Sequence, residues 1–171
     1  MSIASNLLPE FDTEMKSTRS VLACVPEAKT AFKPHPRSWC LGDLSLHLAN
    51  MISWTTSTLN STELDFSPVG GKKWTSPKFE SAAATLAYFE ETARAARSAI
   101  EAASDADMLV TWSLKNAGKT LFSMPRIACL RAFVMNHHIH HRGQLTVYLR
   151  LCDVPLPSIY GPTADTPSTF A

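Results

Sequence analysis

The chain has 171 residues, 45% hydrophobic and 18% charged, which suits one globular domain over residues 1–171 with a sizeable core. A formal net charge of +1 leaves no electrostatic footprint for nucleic acid, and no run of about 18 apolar residues offers a membrane span. Acids in the opening stretch MSIASNLLPEFDTEMK stand where a signal peptide needs an apolar core, so the expected compartment is the cytoplasm.

Prolines divide the chain into helical candidates, because proline is tolerated in a first turn and excluded from helix interiors. Pro9 and Pro26 bracket the first, where Leu8, Phe11, Met15 and Leu22 follow steps of 3 and 4 and Thr18 fills one slot. The second lies between Pro36 and Pro68, with Leu44, Met51 and Trp54 on one seam and His47 in the slot between Leu44 and Met51. Asn60 to Pro77 contains Pro68, Gly70 and Gly71 and reads as a long connection across one end of the molecule. The third candidate carries Phe79, Ala82, Leu86, Phe89, Ala93, Ala96, Ile100 and Ala103 at the same spacing, with Glu90 and Arg94 as an i,i+4 pair. Leu109 to Met124, with Asn116-Ala117-Gly118 at its centre, predicts a short hairpin or an irregular crossover. The fourth runs from Pro125 to Pro155 on Ile127, Leu130, Val134, His137, His141, Leu145, Tyr148 and Cys152. Pro155 to Ala171 is rich in Pro, Ser and Thr and is expected to pack locally or move. The fold class is therefore mainly α: a four-helix bundle with a long crossover connection.

Cys24, Cys40, Cys129 and Cys152 form no C-x-x-C pair, so in a reducing cytoplasm they read as small buried apolar side chains. Trp39, Trp54, Trp74 and Trp112 read by default as core packing, and His35 as a surface loop residue.

The run NHHIHHRGQL, Asn136 to Leu145, carries the chemistry. His137 and His141 stand four apart, which on a helix stacks both rings on one face. His47 shares the property of a polar ring on an apolar seam, where it must find a partner or bear a desolvation cost. A divalent cation satisfies His47, His137 and His141 together, each neutral imidazole giving one nitrogen. Imidazole suits zinc, nickel, iron and copper alike, so the metal's identity stays open. Three protein ligands leave a position for water or substrate, because closed structural zinc sites use four. Water there becomes hydroxide near neutral pH, or a thiol binds as thiolate.

The neighbours take other roles. His138 and His140 point to either side of the seam and read as flanking or interface groups. Asp43 either fixes the His47 tautomer or supplies charge to a helix N-terminus. Arg142 and Gln144 contact a substrate or partner, or Arg142 pairs with a surface carboxylate. Gly143 suggests close approach of a neighbouring helix.

The stretch HHIHHRGQLTVYLRLCDVPLPSIYGPTAD, His137 to Asp165, closely resembles the C-terminal helix and tail of the DinB family, and LGDLSLHLAN, Leu41 to Asn50, resembles its second helix. The resemblance implies a four-helix bundle with a long crossover, a homodimer, and a divalent metal on one histidine of the second helix and two of the fourth. These positions are His47, His137 and His141. It further implies relatives that are thiol-dependent transferases or isomerases using bacillithiol or mycothiol. The leading expectation is a metal-dependent transferase in which a low-molecular-weight thiol attacks a small-molecule electrophile. The alternatives are a metal-dependent hydrolase and a non-catalytic metal-binding stress or sensor protein.

Overall fold

The structure is a computed structural model and describes residues 2–166. The chain is mainly helical, with a small three-stranded sheet. Helix α1 (Ile3–Leu22) is capped by the Ser2 hydroxyl, which accepts from the Ser5 N–H. Helix α2 spans Leu41–Met51 and α3 Trp54–Asn60; β1 is Glu63–Asp65; α4 is Ala82–Ala102 and α5 Asp105–Leu109. Strands β2 (Thr111–Asn116) and β3 (Lys119–Pro125) precede α6 (Arg126–Cys129), a π-helical stretch Leu130–Asn136, and α7 (His137–Leu151). No helix among the described residues is long and apolar enough to cross a membrane.

Helix α1 packs on α4, α2 on both α4 and α7, and α1 on α7. One apolar core joins them through Leu7, Phe11, Leu44, Leu48, Phe89, Ile100, Leu130 and Leu145, among others. The predicted seams of α1 and α4 lie on that core, with Phe11, Met15, Leu22, Phe89, Ala96 and Ile100 all buried. Arg19–Glu90 and Asp12–Arg97 pairs, at 2.7 and 3.0 Å, fasten the exposed edges of α1 and α4. Glu90 thus pairs across helices rather than with Arg94.

Pro9 lies inside α1 rather than at its start, the first correction to the sequence reading. A proline in a helix interior costs about 3 kcal/mol through a lost N–H and a clash with the preceding turn. Here Pro9 and Ser5 face solvent, so water can satisfy the freed carbonyl, while Ala4, Leu7 and Phe11 bury the opposite face.

The predicted hairpin is present: β2 and β3 pair antiparallel through a turn at Ala117 and Gly118, with φ of 52° and 77°. Gly118 tolerates that conformation without a Cβ clash. Both turn N–H groups donate to the Asp65 carboxylate, at 3.0 and 2.7 Å. Asp65 belongs to β1, which adds parallel to β2 in the register Glu63↔Ser113, Leu64↔Leu114, Asp65↔Lys115. A second, smaller core of Trp112, Leu114 and Cys129 backs the sheet.

Residues 126–151 form one continuous helical rod containing the π-helical stretch. Its i→i+5 bonding turns the chain less per residue than an α-helix does. The buried stripe therefore runs Leu130, Val134, His138, Arg142, Leu145, Leu149. It does not run through His137 and His141, as uninterrupted α-helical spacing predicts. Those two lie at the edge of the stripe, turned toward α2. The tail folds back on the core through Val154, Leu156 and Ile159, while residues 167–171 of the tail expectation lie outside the described residues.

Candidate metal centre

The structure brings His47 from α2 together with His137 and His141 from α7: one ring nitrogen from each lies within 4.8 Å of the others. None of the three is fully buried, so the cluster opens to solvent. His137 and His141 face each other at an Nε2–Nε2 separation of 2.8 Å. The His47 ring stands 4.7 Å from His141 and 5.7 Å from His137, centroid to centroid.

The His141 tautomer follows from its outer partner. His141 Nδ1 lies 2.7 Å from Gln144 Oε1, which can only accept, so Nδ1 carries the proton and Nε2 a lone pair. The Phe133 carbonyl lies beside the His137 ring, whose Nε2 is within hydrogen-bond distance of His141 Nε2. His47 Nε2 is buried and has no hydrogen-bond partner. Among the described residues the buried His47 Nε2 is thus left unpartnered beside two imidazoles whose Nε2 atoms face each other, an arrangement that a cation can satisfy.

The local field keeps these rings neutral. Burial, reinforced by His141 and His137, pushes His47 down to about 4. Burial also lowers His137 and His141. Each shift favours the neutral ring, the form that ligates a metal.

Trp39 covers the cluster. Its ring lies 4.6 Å from His47 edge-on and 5.8 Å from His141 in a stacked arrangement, and it is 48% exposed. Default core packing does not describe it: Trp39 is a wall of the site. The available sequence signal is its place just before the α2 cap at Cys40, two turns ahead of His47. Trp112 is in the core as expected, and Trp54 and Trp74 pack with Phe66 on the sheet side.

Asp43 sits in the first turn of α2 and shares a cleft with His47, Leu46 and Asn50, but makes no hydrogen bond to the His47 ring. Its helix N-terminal reading holds. His140 is exposed on the flank of the cluster and His35 lies in an exposed loop, both as expected. The four thiols are free, and burial raises those of Cys24, Cys40 and Cys129, which argues against a thiolate nucleophile among them.

His138 and Arg142 depart most from expectation. His138 is 0% exposed, stacked near Phe89, with Nε2 2.7 Å from the Thr18 hydroxyl. Arg142 is buried too, and its partner is no surface carboxylate: Nη2 lies 2.5 Å from Glu14 Oε2, with side-chain exposures of 2% and 8%. Arg142 Nη1 also donates to the Glu14 carbonyl at 3.0 Å and to Thr18 Oγ1 at 3.3 Å. Thr18 therefore directs its own hydrogen at His138 Nε2. The His138 proton then resides on Nδ1, toward the Leu48 carbonyl but outside hydrogen-bond geometry. Burial, with the Arg142 charge added, holds His138 down to about 3. Tyr160 from the tail closes the group, its hydroxyl 2.8 Å from Glu14 Oε2. The sequence signals were Thr18 in an apolar slot and the tyrosine after the last helix. Gly143 faces open space, so close helix approach does not explain it.

Several comparisons place this architecture among known proteins. The chain is 24% identical over 169 residues to the uncharacterized protein YrdA of Bacillus subtilis (strain 168), covering 96% of this chain and 92% of that one. A DinB-like protein from Bacillus cereus ATCC 10987 has a similar fold, with a TM-score of 0.72 at 24% identity over 93% of this chain and 98% of that chain. A second DinB-like protein, YjoA from Bacillus subtilis, superposes with a TM-score of 0.68 at 17% identity, covering 90% and 97%. The family model of the DinB family matches residues 1–168, and the chain belongs to that family.

Proposed function

We propose that His47, His137 and His141 hold a divalent metal ion, of the zinc, nickel or iron type, and that the protein is a metal-dependent transferase using a low-molecular-weight thiol. The observation that carries the metal is the clustering of one ring nitrogen from each of His47, His137 and His141 within 4.8 Å of the others, with His141 Nε2 2.8 Å from His137 Nε2 and the buried His47 Nε2 unpartnered among the described residues. Such an ion, when bound, lowers the pKa of a coordinated thiol so that it is a nucleophile at neutral pH. The chain's own residues do the positioning. Gln144 fixes the His141 ring, and Trp39 restricts water at the mouth. The cytoplasm, where such thiols are kept reduced, is the fitting compartment. The four longer helices are read as a four-helix bundle whose crossover is the 61–81 segment, and the family resemblance supports a homodimer.

One observation favours a second reading, a metal-binding stress or sensor protein without turnover. Among the described residues no carboxylate hydrogen-bonds any of the three rings, and that of Asp43, which lines the cleft beside His47, is not engaged with them. The same weighs against the hydrolase. Metal analysis of the purified wild type beside His47→Ala and His141→Ala tests the centre, with metal expected in the wild type alone. Equal content in all three overturns it. Turnover of generic electrophiles only in the presence of a thiol supports the transferase; turnover without thiol identifies the hydrolase.

A further inference from the structure

Trp39 divides the approach to the histidines into two clefts with opposite linings. The cleft of about 190 Å³ beside His47 contains the Asp43 carboxylate and the Asn50 amide. The cleft of about 260 Å³ that ends on His141 is lined by Arg37, Ser38, Leu44, Gln144 and Tyr148. Every polar side chain in this second cleft offers a donor: the Arg37 guanidinium, the Ser38 and Tyr148 hydroxyls, and the Gln144 amide N–H left over once its oxygen engages His141. No carboxylate lines it, and Arg37 makes no ion pair among the described residues. Between Glu27 and Asp43 the sequence carries Lys29, Lys33 and Arg37 and no acid. A low-dielectric cleft lined by one sign of charge concentrates ligands of the other sign.

We infer that this cleft is a subsite for the carboxylate end of a small thiol, with the thiol sulfur directed past Gln144 to the three histidines. The inference rests on the metal-and-thiol reading above and deepens it: the co-substrate is a mercapto-acid rather than a neutral or cationic thiol. One guanidinium with hydroxyl and amide donors matches one planar, singly charged carboxylate. The Asp43 side of Trp39 is left to the electrophile.

The test uses full-length protein loaded with cobalt(II), whose d–d bands report the metal and whose thiolate charge-transfer band reports sulfur binding. The probes are 3-mercaptopropionate, 2-mercaptoethanol and cysteamine. Wild type is expected to bind mercaptopropionate about tenfold more tightly than mercaptoethanol, as one charged hydrogen-bonded pair gives, and cysteamine most weakly. Arg37→Gln is expected to erase that preference while leaving mercaptoethanol binding within about twofold, and Lys33→Gln, on the same loop, to retain it. Equal affinities in the wild type, or a preference that survives Arg37→Gln, overturns the subsite alone. Cobalt d–d bands without a sulfur band for any probe overturn the thiol reading and the subsite with it. Absence of cobalt binding overturns the centre itself.

Discussion

Two polar clusters lie on neighbouring faces of α7, one residue out of phase. His138 and Arg142 belong to a buried network with Glu14, Thr18 and Tyr160 in which almost every donor has an acceptor. His137 and His141 belong, with His47, to a half-open cluster in which three ring nitrogens lie within 4.8 Å of one another and the buried His47 Nε2 has no partner among the described residues. Both are polar groups in an apolar setting, and both contain histidine. The difference shows how to read a buried histidine: count what faces it. A network whose charges and hydroxyls are paired, with His138 Nδ1 alone left over among its described atoms, stabilises the fold and specifies how α1, α7 and the tail dock. A half-open cluster of three imidazoles with no such pairing is the better candidate for a ligand site.

The largest test of that contrast removes one half of the complete network. Arg142→Ala leaves the Glu14 carboxylate buried without a counter-charge and should cost about 3–5 kcal/mol. Urea unfolding of the metal-free protein measures it. A loss below about 1 kcal/mol breaks the comparison, since Arg142 would then be no structural centre.

The open cluster should answer differently. His137→Ala is expected to change metal-free stability by less than about 1 kcal/mol, because the ring is partly exposed and unsatisfied. What it should remove is the ligand's contribution. On that proposal zinc at a hundredfold excess over its Kd should stabilise the native wild type by about 2.7 kcal/mol, and the variant should show none of it. Retained stabilisation in the variant would detach the metal from this site.

The pH dependence separates the clusters further. His138 is held down to about 3 in the folded chain, against an ordinary value of 6.5. Between those limits the unfolded chain binds the extra proton, so stability falls as pH drops through 6.5 and continues falling toward 3. The slope from one such group is at most about 1.4 kcal/mol per pH unit. Metal-free His47, held down to about 4, adds to it over the upper part of the window. Urea midpoints between about pH 7 and pH 5 should therefore fall less steeply in His138→Gln than in wild type. Parallel curves would show that His138 is not held neutral by the fold.

Much of this was legible in the sequence because it depends on short-range rules. The 3-and-4 spacing of Phe11, Met15 and Leu22, and of Phe89, Ala96 and Ile100, located two helices and their buried faces. Asn116-Ala117-Gly118 located the hairpin. The set of His47, His137 and His141 was legible too, since residues four apart on a helix stay neighbours even where the buried stripe moves. What failed depended on distant contacts. The π-helical stretch Leu130–Asn136 has no local signature, and it shifted burial from His137 and His141 to His138 and Arg142. Glu14 reads as an ordinary exposed acid until a guanidinium 128 residues away meets it. Strand β1 is three residues long and exists because Asp65 caps a turn that the chain makes fifty residues later.

The smallest predicted effect is the sharpest. Gln144 is exposed, and among the described residues its amide oxygen is the one group that hydrogen-bonds the outer nitrogen of His141. Gln144→Ala should leave stability within about 0.5 kcal/mol, as surface substitutions do. It should weaken metal binding 10- to 100-fold on the order of other losses of a ligand's outer partner, because His141 can then turn or protonate Nε2. Gln144→Glu, which still accepts from Nδ1, should restore affinity, whereas Gln144→Lys, which cannot accept, should not. Competition titration against a chelating indicator reads all three. If Gln144→Lys binds metal as tightly as wild type, the His141 tautomer is set elsewhere, and the inward lone pair on its Nε2 loses its support.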